Sequence, residues 1–201
     1  MKWLFMLVLL AVNTARGGEA VDLCFNYECR SQMTIEFDQR DLRRAARLFL
    51  DAADAPAERE AIRQAVALLA GVAANRSPIG NDKGGNVADD GVNGRMDCID
   101  HSRTTTEYLR LLERRHWLRF HRVLTPVVRA PLFVNIHWAA RIEEQQSGAQ
   151  FVVDTWFKPN GEPAAIFDLE AWRRGAVPKE ASASAAAAEY SPSLSAALPD
   201  G

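Results

Sequence analysis

Apolar residues recur at helical spacing over the first half of the chain and alternate over the second. Leu42, Ala45, Ala46, Phe49 and Ala53 share one face of a segment over about 40–53 that Asp38 or Asp41 can cap. Asp54 and Pro56 open a second helix to about Ala74, with Ile62, Ala65, Val66, Leu69, Val72 and Ala73 on one side. A third helix is expected over about 98–114. Asp97 is its N-cap, and Asp100 three residues on resembles a capping box. Thr104, Thr105 and Thr106 are weak helix formers, so this helix must lean on packing through Tyr108, Leu109, Leu111 and Leu112. Strand signals fall at 33–37 and at about 117–124, 132–142 and 150–157, with Pro126 and Pro131 punctuating the first gap among the last three. Residues 143–148 read as a polar hairpin loop, Asn160-Gly161 as a further turn, and Ile166 to Trp172 as a short last element. The pattern is that of an α+β fold, helices first and an antiparallel sheet after them.

Residues 75–96 belong to neither pattern. They are rich in Gly, Asn and Asp, and a loop of this length inside one domain is uncommon and often functional. The two ends also differ from the middle. Lys2, the uncharged run Trp3 to Val12 and the small residues up to Ala20 read as a secretory signal over 1–20, an uncleaved anchor being the alternative. That run is too short to cross a bilayer, so no membrane span is expected after cleavage. From residue 176 the chain is Ala/Ser/Pro-rich and reads as a disordered tail, which leaves 21–175 as one domain. A net charge of -2 and a pI of about 6.1 carry no electrostatic footprint for nucleic acid. Nothing in the sequence fixes the oligomeric state.

An exported chain, periplasmic or secreted, meets an oxidising compartment. Cys24 and Cys29 enclose four residues, a loop that a disulfide can close. Cys98 is then left over, either inert and buried or reactive. It opens the third helix, where free N–H groups and the positive end of the helix dipole favour a thiolate; Asp97 and Asp100 oppose this, so a basic partner is needed. His137 alternates onto the strand face shared with Phe133, Asn135 and Arg141, away from the continuous apolar face of Leu132, Val134, Ile136 and Trp138. A symmetric hairpin loop over 143–148 sets Asp154 directly opposite His137, with β-carbons about 5 Å apart. Nucleophile, base and orienting carboxylate are then all present: Cys98, His137 and Asp154.

The order Cys, His, Asp, the helix-start Cys98, His137-Trp138 and Val152-Val153-Asp154 resemble the transglutaminase-like branch of the papain-like cysteine peptidase superfamily. The resemblance covers roughly residues 80–160. It implies a core in which the Cys helix packs on an antiparallel sheet bearing the other two residues. Gly94 to Leu109, with His137-Trp138 and Val153 to Phe157, also resembles a group of exported proteobacterial proteins. Where that superfamily carries small apolar residues after the Cys, this chain has Asp100 and His101. The resemblance implies acyl transfer on a protein or peptide substrate, with amide hydrolysis preferred over cross-linking, and no cofactor. The alternative is a catalytically inactive envelope binding protein on the same fold. Zinc is disfavoured, because Cys98 and His101 lack a second ligand pair and His116 and His121 read as surface residues. Calcium is a minor possibility: Asp89 to Gly94 partly follows a calcium loop with Asp100 at its twelfth position, but Gly91 stands where a ligand oxygen belongs.

Overall fold

The structure, a computed structural model, describes residues 17–85, 88–130 and 136–178. Most of the leader, the tail beyond 178 and the start of the strand expected at 132–142, with Phe133 and Asn135, lie outside the described residues.

A two-stranded hairpin, β1 (Glu19–Phe25) and β2 (Ser31–Phe37), precedes two helices, α1 (Gln39–Arg47) and α2 (Ala55–Ala74). After a single 3₁₀ turn at Pro78–Asn81 comes α3 (Cys98–Arg114). An antiparallel sheet follows in the order β3 (His121–Arg129), β4 (His137–Glu144), β5 (Gln150–Asp154) and β6 (Ala165–Asp168), and α4 (Leu169–Arg173) closes the described chain. The fold is therefore α+β. α3 is its centre, packed between β1 and β4. Leu23 and Phe37 from the hairpin, Ile62 and Leu69 from α2, Leu109 and Leu112 from α3, and Ala140, Ile142 and Val153 from the sheet form one core. Each large side chain buried there contributes about 1.5–3 kcal/mol.

Several boundaries differ from the sequence reading. β1 was not anticipated; Val21, Leu23 and Phe25 do alternate inward, but they adjoin the leader and the cysteine loop. α1 stops at Arg47 rather than 53, because Leu48, Phe49 and Leu50 donate to carbonyls three residues back and tighten the chain into turns. β3 begins four residues later than expected and runs through Pro126, which sits in the register shift between Leu124 and Val127, where a missing N–H costs no ladder bond. The element expected over Ile166 to Trp172 divides into β6 and α4 at Asp168, whose carboxylate caps the helix.

His121 is a correction. It is buried, not on the surface, while His116 is exposed. Glu58 on α2 is wholly buried and accepts from the backbone N–H of Arg119, Phe120 and His121 and from His121 Nδ1 at 2.9 Å. Burial alone would push the Glu58 carboxyl up. The His121 bond and the backbone donors outweigh burial and hold it below its ordinary range. This carboxylate pins the start of β3 to α2, and so sets where the sheet begins.

Tyr108 lies at the centre of the core, edge-on to Phe37, and its hydroxyl has no hydrogen-bond partner among the described residues. An unpaired buried hydroxyl costs folding free energy. Tyr108→Phe is expected to stabilise the protein by about 1 kcal/mol, seen as a melting temperature about 2–4 °C higher; an unchanged or lower melting temperature contradicts this.

Candidate active site

The start of α3 is held from outside the helix. The Asp97 carboxylate accepts from the Asp100 N–H at 2.8 Å, and Asp100 returns a bond to the Asp97 N–H, the reciprocal capping box expected from sequence. The segment Asn26-Tyr27-Glu28-Cys29 docks on these same carboxylates. Its four residues all have positive φ, 66°, 62°, 53° and 58°, so the chain makes a short left-handed turn without glycine. Such residues cost roughly 1–2 kcal/mol each. The turn is stabilised by what its N–H groups reach: Tyr27 donates to Asp100 Oδ2 at 2.8 Å, Cys29 to Asp100 Oδ1 at 2.6 Å and Glu28 to Asp97 Oδ2 at 2.9 Å. The expected Cys24–Cys29 disulfide closes this turn. Thr104 on α3 clamps the other side, accepting from the Cys24 N–H at 2.9 Å. Burial, and then the charge of Asp97, push Asp100 up to about 6 despite its backbone donors.

Cys98, half-buried at the first position of α3, is the free cysteine among the three. His137 and Asp154 lie near it at the ends of β4 and β5. The ladder between these strands pairs Ala140 with Val153 and Glu143 with Gln150, two residues out of the expected register. Glu143 and Glu144 remain in β4 because they bind Arg122 and Arg59, and the turn closes between Glu144 and Ala149. Asp154 is therefore diagonal to His137 rather than directly opposite. A two-residue slip keeps both on one face, and His137 Nε2 still meets Asp154 Oδ2 at 2.7 Å. Cys98 is close enough to raise the affinity of the same ring for its proton.

The face carrying His137 is not polar, as the alternation suggested. It covers a second small core of Val127, Ala139, Val152, Leu169 and Trp172 under α4. His137 is buried there among the rings of Trp156, Phe157 and Trp172, with centroids 5.0, 5.6 and 5.8 Å away. Asp154 is fixed by two further donors, Trp172 Nε1 at 3.1 Å and the Trp156 N–H at 3.1 Å. Burial alone would lower the His137 pKa. The bonds to Asp154 and Cys98 and the charges of both outweigh it and raise the ring to about 9.

Sequence reasoning missed a second histidine–carboxylate pair. His101, one turn along α3 from Cys98, is buried and bonds Asp82 through Nε2 at 3.0 Å and Thr155 through Nδ1 at 3.0 Å. Asp82 also accepts from the Met96 N–H, and Thr105 reaches Thr155 at 2.8 Å. The pair ties the long loop, α3 and the end of β5 together. Only the chain position of His101 hinted at it, because Asp82 lies in a stretch without periodicity. In the partial calcium loop, Asp89 is bonded by Tyr27 and Arg95, and Asp100 by backbone N–H groups, so these carboxylates already serve the protein.

A groove of about 600 Å³ runs between α3, the β1–β2 hairpin and strands β3 and β4. Ile99, Arg103, Thr106, Arg110, Pro126 and Trp138 line it. Ile99 and Trp138 directly follow Cys98 and His137 in the chain. No metal-ligand cluster among the described residues includes Cys98; Cys24, Cys29 and Asp100 approach one another, but the two cysteines are bonded to each other. Comparison with protein-family models, with curated proteins and with solved structures found no match to this chain.

The raised His137 gives a signed pH dependence. Its contribution to stability is complete below about 6.5, the unfolded value, and is lost as pH rises through about 9. Asp154→Asn removes the stronger partner, so the His137 pKa read by NMR should fall by about one unit or more and the loss of stability between pH 6.5 and 9 should shrink. An unmoved His137 titration contradicts the pairing.

Proposed function

We propose that this chain is an exported acyl-transfer enzyme with a transglutaminase-like core that hydrolyses amide bonds of a protein or peptide through Cys98, His137 and Asp154. The observation that carries the reading is His137, buried, bonded to Asp154 and close enough to Cys98 to be raised by it. A ring raised to about 9 is protonated at neutral pH, the state needed to stand beside a thiolate and to protonate a leaving amine. The disulfide suits an oxidising compartment. Within the leader, cleavage after Gly17 or Gly18 leaves β1 whole, whereas cleavage after Ala20 removes the pairs Glu19–Phe37 and Ala20–Glu36.

The reaction runs in two halves. The Cys98 sulfur attacks the amide carbonyl carbon, and the carbonyl π electrons move onto oxygen. N–H groups of the first turn of α3, among them that of Cys98, have no intrahelical acceptor and can meet this oxyanion. His137 gives its proton to the nitrogen, the C–N bond breaks, the amine leaves and a thioester remains on Cys98. His137, now neutral, takes a proton from water, whose oxygen attacks the thioester. The acid departs and the Cys98 thiolate beside a protonated His137 is restored. Asp154 holds the ring in one tautomer and balances its charge throughout.

Alkylation of Cys98 by iodoacetamide against pH tests this reading. A rate at neutral pH that falls about tenfold or more in His137→Ala is expected. A folded protein whose Cys98 is inert, and unaffected by His137→Ala, overturns it in favour of a binding protein on the same fold.

A further inference from the structure

We infer that the left-handed turn closed by Cys24–Cys29 is the positioning element of the Cys98 helix, so that the site is assembled only while this disulfide is intact. The inference rests on the reading of Cys98 as nucleophile. Its grounds are separate: four consecutive non-glycine residues in the left-handed region, and the destination of their N–H groups. Tyr27, Glu28 and Cys29 spend their donors on Asp97 and Asp100, the residues that flank the Cys98 turn of α3. Asp100 is fully buried, and its carboxylate is surrounded by the N–H groups of Tyr27, Cys29 and Asp97. A chain free to leave this conformation has every local reason to do so. The disulfide ties Cys29 to Cys24, and Cys24 is held to α3 by Thr104, so the covalent bond keeps the donors in place.

Opening the lock needs a thiol reductant. Two electrons and two protons from a dithiol convert the S–S bond into two thiols, and the dithiol leaves as its own disulfide. Closing it needs a disulfide oxidant that takes the same two electrons and two protons back. In the reduced form Tyr27 and Glu28 relax to negative φ, their N–H groups swing away, and Asp97 and Asp100 face each other without them. The first turn of α3 then frays and Cys98 leaves its place beside His137. A chain reduced before export is inactive on this account, and oxidation after export turns it on.

The test compares the oxidised protein with Cys24→Ser/Cys29→Ser, in which Cys98 is the remaining thiol. Two quantities are read, the iodoacetamide rate at Cys98 and the hydrogen exchange of the Tyr27, Glu28 and Asp100 amides. The variant is expected to lose tenfold or more in rate and to exchange these amides tenfold or more faster, with its sheet protection retained. Adding Glu28→Gly, which removes the penalty on positive φ at an exposed position, is expected to recover a substantial part of both. A variant that alkylates and exchanges as the oxidised protein does overturns the inference, and so does a loss that Glu28→Gly leaves untouched. If the double variant does not fold, Asp100→Asn in the oxidised protein takes its place: faster Tyr27 exchange and slower alkylation support the lock, and no change overturns it. If Cys98 of the oxidised protein reacts no faster than in His137→Ala, the nucleophile reading fails, and the exchange measurement alone still decides the lock.

Discussion

The first turn of α3 is the point on which the rest of the structure depends. A helix begins with donors that have no partner inside it, and here two aspartates close part of that deficit from within the chain. Two carboxylates so close together repel, and one of them is buried. The left-handed turn supplies the N–H groups that make the arrangement tolerable, and the disulfide keeps that turn from relaxing. Hydrogen bonds between the two segments thus offset both the backbone strain of the turn and the repulsion of the carboxylates, and Cys98 sits between the two aspartates that take part.

The sheet supplies the opposite end of the site by a different physical route. β4 and β5 carry His137 and Asp154 to neighbouring strand ends, where Trp156, Phe157 and Trp172 exclude water from the ring. Burial works against a charged imidazole, and the two bonded partners outweigh it. His101 and Asp82 join these halves from the side of α3, through Thr155 next to Asp154. The threonines that weaken α3 as a helix are therefore in use: Thr104 holds Cys24 and Thr105 holds Thr155.

What was legible in the sequence was local or periodic. The span of α3 and its capping box follow from residues three apart, and α2 from its Asp54 cap and apolar stripe. The pairing of His137 with Asp154 survived a register error because strand faces repeat every two residues, and the error was two. What was not legible depends on partners far along the chain. His121 is buried because of Glu58, 63 residues away. The left-handed turn contains no glycine, and the carboxylates that make it possible lie about seventy positions downstream. β1 alternates correctly, yet its position between a leader and a cysteine pair hid it.

The central claim is that Cys98 forms an acyl-enzyme assisted by His137. Intact-mass spectrometry of the oxidised protein mixed with an activated peptide thioester reads this most directly. The account predicts a single acyl adduct on Cys98 that hydroxylamine releases, absent in Cys98→Ser and strongly reduced in His137→Ala. An oxidised, folded protein that acquires no adduct on Cys98, or acquires it equally well without His137, contradicts the account.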